Sequence, residues 1–236
     1  MTTAVSTTRV LAAEALGTAL LLAIVVGSGI MGARLSAGND AIALLGNTLA
    51  TGAGLVALIH VFGPLSGAHF NPVVTLAALL ARQRTPALAA AMMAAQFAGA
   101  IVGVWTAHLM FGEPVLQVSA KLRSGAPQVF AEAVATFGLI GTILGTQRAR
   151  PDFTPVAVGL YITSAYWFTA STSFANPAVT LARSLSDTFA GIAPASVPGF
   201  LAGQVAGGLA GVVVFEWLLA RPGQNLPLDE FAGTEK

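Results

Sequence analysis

The sequence predicts an all-α membrane protein of six transmembrane helices plus two re-entrant half-helices, built as inverted three-span repeats, and three observations carry that prediction. The 236 residues are 55% apolar and only 9% charged, against roughly 25% charged for an ordinary soluble domain. Six apolar segments approach the roughly 20 residues that cross a bilayer. Two further apolar segments are too short to cross, and each begins with Asn-Pro at corresponding places in the two halves of the chain.

The six spans fall at about 10–32, 42–62, 87–111, 128–147, 154–170 and 196–220, and the short segments at 71–81 and 176–185. The first span follows Arg9 and resembles a signal core. It runs from Val10 to about Met31 and carries Glu14 in its early turns, so it reads as a retained span rather than a cleaved leader. Short segments that enter and leave on one side are tolerated where protein or a water-filled cavity surrounds them. The connections near 34–40, 82–85, 112–127, 147–152 and the tail from Arg221 are short and polar, with no domain linker.

Three anchors reveal the repeat. Ala13-Glu14-Ala15-Leu16-Gly17-Thr18 matches Ala131-Glu132-Ala133-Val134-Ala135-Thr136, Asn71-Pro72 through Ala77 matches Asn176-Pro177 through Ala182, and Ala95-Gln96 with Gly99 and Gly103 matches Gly203-Gln204 with Gly207 and Gly211. They keep their order in both halves, which sets repeats of about 1–118 and 119–236 inside a single domain, 1–236. Three spans per repeat is an odd number, so the second copy enters the membrane inverted and the two meet at the midplane. Counting loop cations with both termini cytoplasmic places Arg9, Arg82, Arg84, Arg148, Arg150, Arg221 and Lys236 inside, and Arg34, Lys121, Arg123 and Arg183 outside, the bias expected of cytoplasmic loops.

Asparagine followed by proline suits a helix start, because the Asn side chain caps free backbone N–H groups and proline has none to satisfy. Two half-helices entering from opposite faces bring Asn71 and Asn176, with the positive ends of both dipoles, to the middle of the membrane. There the amides donate to a passing oxygen while the dipoles repel cations and protons.

The segments Ser66-Gly67-Ala68-His69-Phe70-Asn71-Pro72-Val73 and Phe174-Ala175-Asn176-Pro177-Ala178-Val179 resemble the paired asparagine-proline-alanine signatures of the aquaporin and glycerol-facilitator (major intrinsic protein) superfamily. The resemblance covers nearly the whole chain. It implies one pore per subunit, a homotetramer, and passive conduction of small neutral solutes. Two departures stand out: Val73 replaces the signature alanine in the first copy, and Val179 stands three beyond the second asparagine, where most of the family has the arginine of the outer filter. The remaining filter positions align with Thr51, Ser173, and either Ser164 by an ungapped count or Tyr166 by alignment on Gly159-Leu160, of which Tyr166 is preferred. Thr51 and Val179, with the run from Tyr161 to Ser173, resemble a bacterial branch associated with arsenic-resistance operons. That likeness implies transport of uncharged arsenite and of methylated arsenicals.

Glu14 and Glu132 are costly in a membrane. Their symmetry assigns them to accepting hydrogen bonds from the pore loops, as buried carboxylates need partners. His60 lies nine residues after Thr51, about 180° around the helix, and so faces away from the pore, whereas His69 belongs to the pore loop. The Ala91, Ala95, Gly99, Gly103 row and the Gly203, Gly207, Gly211 row permit close helix crossing.

The composition excludes other classes. There is no cysteine, hence no disulfide, thiolate metal site or thiol nucleophile. Net charge is +1, leaving no basic surface for nucleic acid. No catalytic residue, cofactor or metal site is expected, His108 having no evident partner, so the chain is not read as an enzyme. The alternative to a passive channel is a proton- or ion-coupled secondary transporter, which also uses inverted repeats. The expected location is the bacterial inner membrane.

Overall fold

The computed structural model describes residues 5–220. Arg221 and Lys236, counted above among the inside cations, lie outside the described residues. The first repeat contains α1 (Thr7–Leu35), α2 (Asp40–Ser66), the half-helix α3 (Pro72–Leu80) and α4 (Pro86–Phe111); the second contains α5 (Ala126–Ala149), α6 (Thr154–Phe168), the half-helix α7 (Pro177–Arg183) and α8 (Val197–Leu218). Short 3-10 turns precede α6 and α8.

Local chemistry sets the helix ends. Ser6, Asn39 and Thr85 cap α1, α2 and α4 by accepting from Arg9, from Ala41 and Ile42, and from Leu88. Gly67 and Gly112 end α2 and α4 in the left-handed conformation, with φ of 91° and 68°, where a side chain is disfavoured. Among the described residues, α1, α2, α4, α5 and α8 with its leading turn are long and apolar enough to cross a bilayer. The fifth span is shorter than the sequence pattern suggests. α6 has 15 residues, about 22 Å at 1.5 Å per residue, and the preceding 3-10 turn adds roughly 6 Å. Its end at Phe168 frees the following residues to turn inward as the second pore loop.

α1 packs chiefly on α4 and also on α2, α5 on α8, and α6 on α2. The small-residue rows form these crossings: a Cβ at Gly99 or Gly103 would run into the carbonyls of Ala15 or Ala19, and one at Gly203 or Gly207 into those of Val129 or Ala133. The repeats meet through Gly52 of α2 and Gly159 of α6, each facing the other's carbonyl. Leu16, Leu20, Val102, Phe130, Val213 and Trp217 remain exposed, an apolar exterior suited to lipid.

This packing makes Gly207→Ala an informative substitution. It is expected to destabilise the protein by about 1–3 kcal/mol, the usual cost of overpacking. Gly46→Ala, where an added Cβ meets nothing within 4 Å, is expected to be neutral or slightly stabilising through helix propensity. Thermal unfolding in detergent distinguishes the two, and equal midpoints would contradict the close-crossing account.

Candidate functional site

The pore loops are held by two matching polar clusters. Glu14 of α1 accepts from Ser66 Oγ at 2.6 Å, from the His69 and Phe70 backbone N–H groups at 3.0 and 2.8 Å, and from Gln96 Nε2 at 2.7 Å. Glu132 of α5 accepts from the Phe174 and Ala175 N–H groups at 2.9 and 2.8 Å and from Gln204 Nε2 at 2.6 Å. Gln96 and Gln204 also donate to Thr75 and Thr180, tying each half-helix to its acid. Both acids are fully buried. Paired in this way, a buried carboxylate is satisfied rather than costly. Ala68 and Phe70 in the first loop, and Ser173 and Ala175 in the second, hold positive φ between 47° and 50°. That conformation is sparsely populated outside glycine, and here the carboxylates fix the adjoining N–H groups.

Asn71 and Asn176 cap the half-helices and join them to each other. Asn71 Oδ1 accepts from the Val73 N–H, and Asn176 Oδ1 from those of Ala178 and Val179. Asn71 Nδ2 donates to the Ala175 carbonyl at 2.7 Å, and Asn176 Nδ2 to the Phe70 carbonyl at 2.8 Å. Pro72 and Pro177 occupy the first helical positions. Val73 belongs to a cluster with Ile140, Leu144 and Val212, and its extra bulk is accommodated because Gly208 has no Cβ to meet it. Ala178 is fully buried in the main core.

A cavity runs between the repeats. It is lined by Gln83 and Gln147 on one side, by Asn71 and Asn176 midway, and by Thr51, Tyr166, Ser173, Val179 and Arg183 on the other. Its volume of about 110 Å³ is room for several waters, each of which needs roughly 10–15 Å³. Tyr166 is buried, with its hydroxyl 3.4 Å from Thr51 Oγ1. Ser164 is exposed on the other side of α6 and bonds its own backbone at Tyr161. Of the two alternatives for the fifth span, Tyr166 borders the cavity and Ser164 does not. His69 lines the cavity and pairs with Thr75, while His60 is exposed and donates to the Val56 carbonyl.

Several residues differ from their sequence-based assignments. Arg183, counted as an outside loop cation, is only 2% exposed and lines the cavity, because α7 ends on it and the chain then folds back over it. Arg84 donates to the Ser66 carbonyl at 2.9 Å, and Arg148 pairs with Glu216, so both add packing to any topological role. His108 has partners. It is fully buried, its Nδ1 donating to the Val115 carbonyl at 3.0 Å and its Nε2 lying 2.9 Å from Ser186 Oγ. This serine–histidine pair is sealed from solvent, and the outer imidazole nitrogen meets a carbonyl rather than the orienting carboxylate of a hydrolytic triad. Its place is structural, joining the 112–125 connection to the return after α7.

The 112–125 connection is correspondingly more than a polar link. Its Ser119 N–H donates to the Ser184 carbonyl, Lys121 accepts from the Ala193 N–H, and Arg123 Nε donates to the Gly191 carbonyl at 2.9 Å. Arg123 also reaches Ser171 and Thr172 at 3.4 Å. Burial pushes its guanidinium below the ordinary arginine value. From the sequence Arg123 was counted only as an outside cation and the Gln96, Gln204, Thr75 and Thr180 set was assigned no role, although these glutamines and threonines already stood out within the repeat anchors. Among the described residues no group of three or more metal-ligating side chains occurs.

Inverted repeats, two half-helices meeting tip to tip and a cavity between them, largely apolar with Asn71 and Asn176 among its lining, define an integral membrane channel. Residues 1–173 match the family described as major intrinsic protein, and the chain belongs to that family. It is a channel protein and not an enzyme. It is 55% identical to aquaglyceroporin AqpS of Rhizobium meliloti (strain 1021) over 217 residues, covering 91% of this chain and 93% of that protein. It is 31% identical to aquaporin Z of Bradyrhizobium diazoefficiens over 229 residues, 89% of this chain and 93% of that one. In fold it resembles the crystal structure of the aquaglyceroporin from Plasmodium falciparum, with a TM-score of 0.68, 23% identity, and 90% and 95% of the two chains covered.

Asn71→Asp tests the central asparagines. A carboxylate there faces the Ala175 carbonyl to which Asn71 now donates, so the substitution exchanges a hydrogen bond for repulsion and places a negative charge beside the dipole ends. Solute flux is expected to fall by about tenfold or more, as for about 1.4 kcal/mol lost, with increased sodium or proton conductance. Unaltered flux and exclusion in folded protein would remove Asn71 from the conduction path.

Proposed function

We propose that this channel passively conducts water, glycerol-like polyols and uncharged arsenite through a wide outer constriction of Thr51, Tyr166, Ser173 and Val179. The observation carrying the reading is Val179. At a position that borders the cavity beside two hydroxyl-bearing side chains, an aliphatic residue neither narrows the path nor donates hydrogen bonds. Thr51 and Tyr166 offer hydroxyls that suit polyhydroxylated solutes, and the similarity to an aquaglyceroporin points the same way. Coupled transport has no comparable support: Glu14 and Glu132, the acids buried in the first spans of the repeats, are engaged with the pore loops.

The assembly that fits this reading is a homotetramer in the bacterial inner membrane, each subunit a single channel domain with repeats of about 1–118 and 119–236 and both termini cytoplasmic. Stopped-flow swelling of proteoliposomes with water, glycerol and arsenite, with and without proton and sodium gradients, tests the reading. Faster swelling with all three, indifferent to the gradients, is expected. Vesicles that pass water but neither glycerol nor arsenite would refute the wide constriction.

A further inference from the structure

The constriction lacks a cation at Val179, yet a guanidinium lies close to it. Arg183 follows Val179 by four residues on α7, which places it on nearly the same helix face and about 6 Å further toward the 112–125 connection. Both residues border the cavity. The Arg183 side chain is packed from behind: its Nε donates to the Ala190 carbonyl, and its guanidinium carbon lies 3.4 Å from the Phe174 ring centroid. Its terminal nitrogens make no hydrogen bond to any described residue. Nearby in the same lining, Ser173 Oγ is buried and has no partner among the described residues. A guanidinium anchored by its Nε with its terminal nitrogens at the cavity wall, beside a buried hydroxyl without a protein partner, makes a site whose remaining partners come from the lumen.

We propose that Arg183 supplies the selectivity cation of this channel from one helical turn beyond the usual filter position, forming with Ser173 a subsite for an acceptor oxygen of a neutral hydroxylated permeant. This rests on the channel reading above. The displacement preserves two properties that otherwise compete. At the level of Val179 the path stays wide for a polyol, while a fixed positive charge at the same mouth still opposes cations and protons. Phe174, with Arg183 against its ring and Arg123 5.2 Å from its centroid, holds the guanidinium in place, and Arg123 positions the adjoining loop through Ser171 and Thr172.

The test compares wild type, Arg183→Met and Arg183→Lys in proteoliposomes, reading glycerol swelling together with potassium and proton conductance. Wild type is expected to pass glycerol and exclude both cations from about pH 6 to about pH 9, because arginine stays charged throughout. Arg183→Met is expected to raise cation conductance relative to glycerol flux by about tenfold or more, since a charge in a partly desolvated site acts strongly on ions. Arg183→Lys keeps the charge on a group whose pKa falls readily on burial; it is expected to exclude cations near pH 6 and leak near pH 9. Tyr166 from α6, Glu132 from α5, and Arg123 and Lys121 from the 112–125 connection share these surroundings, and the wild-type profile controls for their titration. If Arg183→Met does not fold, the pH dependence of Arg183→Lys decides. Both variants passing glycerol while excluding cations at every pH would overturn the proposal, as would loss of folded protein in both, which would make Arg183 a packing anchor alone. Wild type without water or glycerol flux would instead refute the underlying channel reading.

Discussion

Glu14→Ala is expected to prevent accumulation of folded channel. The carboxylate accepts from Ser66, His69, Phe70 and Gln96, and in its absence the two backbone N–H groups and the glutamine amide are stranded in a buried site. At about 1–3 kcal/mol for each unsatisfied buried donor, the loss is roughly 3–9 kcal/mol. That is comparable with the 5–15 kcal/mol that typically holds a protein together. Glu14→Gln should be milder, since it keeps one acceptor oxygen while turning an amide donor toward other donors. Glu132→Ala should behave like Glu14→Ala, because Phe174, Ala175 and Gln204 lose their acceptor. Yield of monodisperse protein, the detergent unfolding midpoint and water flux provide the measurements. An alanine variant with an unchanged midpoint and undiminished flux would show that these acids do not hold the loops.

The second large effect is expected from Val179→Arg. A guanidinium at this position enters a cavity already bordered by Thr51, Tyr166 and Arg183, narrowing it and adding a like charge one helical turn from Arg183, an unfavourable pairing on a helix. Glycerol and arsenite flux should fall by about tenfold or more, against about threefold or less for water, because a hydrogen-bonding constriction of water size remains open to water. Val179→Leu separates the causes, adding bulk without charge, and should reduce glycerol less. All three permeants are to be measured in the same reconstituted protein with its oligomeric state checked. Permeability ratios unchanged by Val179→Arg would show that this position does not control selectivity.

Both effects concern residues already conspicuous in the sequence, and the reason is physical. A bilayer offers the backbone no hydrogen bonds, so spans must satisfy themselves locally as helices, and their positions follow from apolar length alone. Duplication supplies the rest: Glu14 with Glu132, Asn71 with Asn176 and Gln96 with Gln204 recur in register. The short α6 was less legible, because Thr169 and Ala170 after Phe168 bring neither glycine nor proline to mark where the helix ends.

Composition and periodicity were therefore enough to specify a membrane bundle, its inverted repeat, the two Asn-Pro half-helices and the symmetric acids, because each depends on local solvent demands or on repetition along the chain. Which side chains border the lumen depended on packing between segments far apart in sequence. Tyr166 rather than Ser164 faces Thr51 because of how α6 lies against α2. Val73 is tolerated because Gly208, on a distant helix, leaves room for it. His108 finds Ser186 because the 112–125 connection folds beside the return after α7. Arg183 shows the difference most clearly: by hydropathy it reads as a loop cation, and only the fold-back that brings the Ala190 carbonyl to its Nε and sets Phe174 against its guanidinium makes it a buried neighbour of the pore.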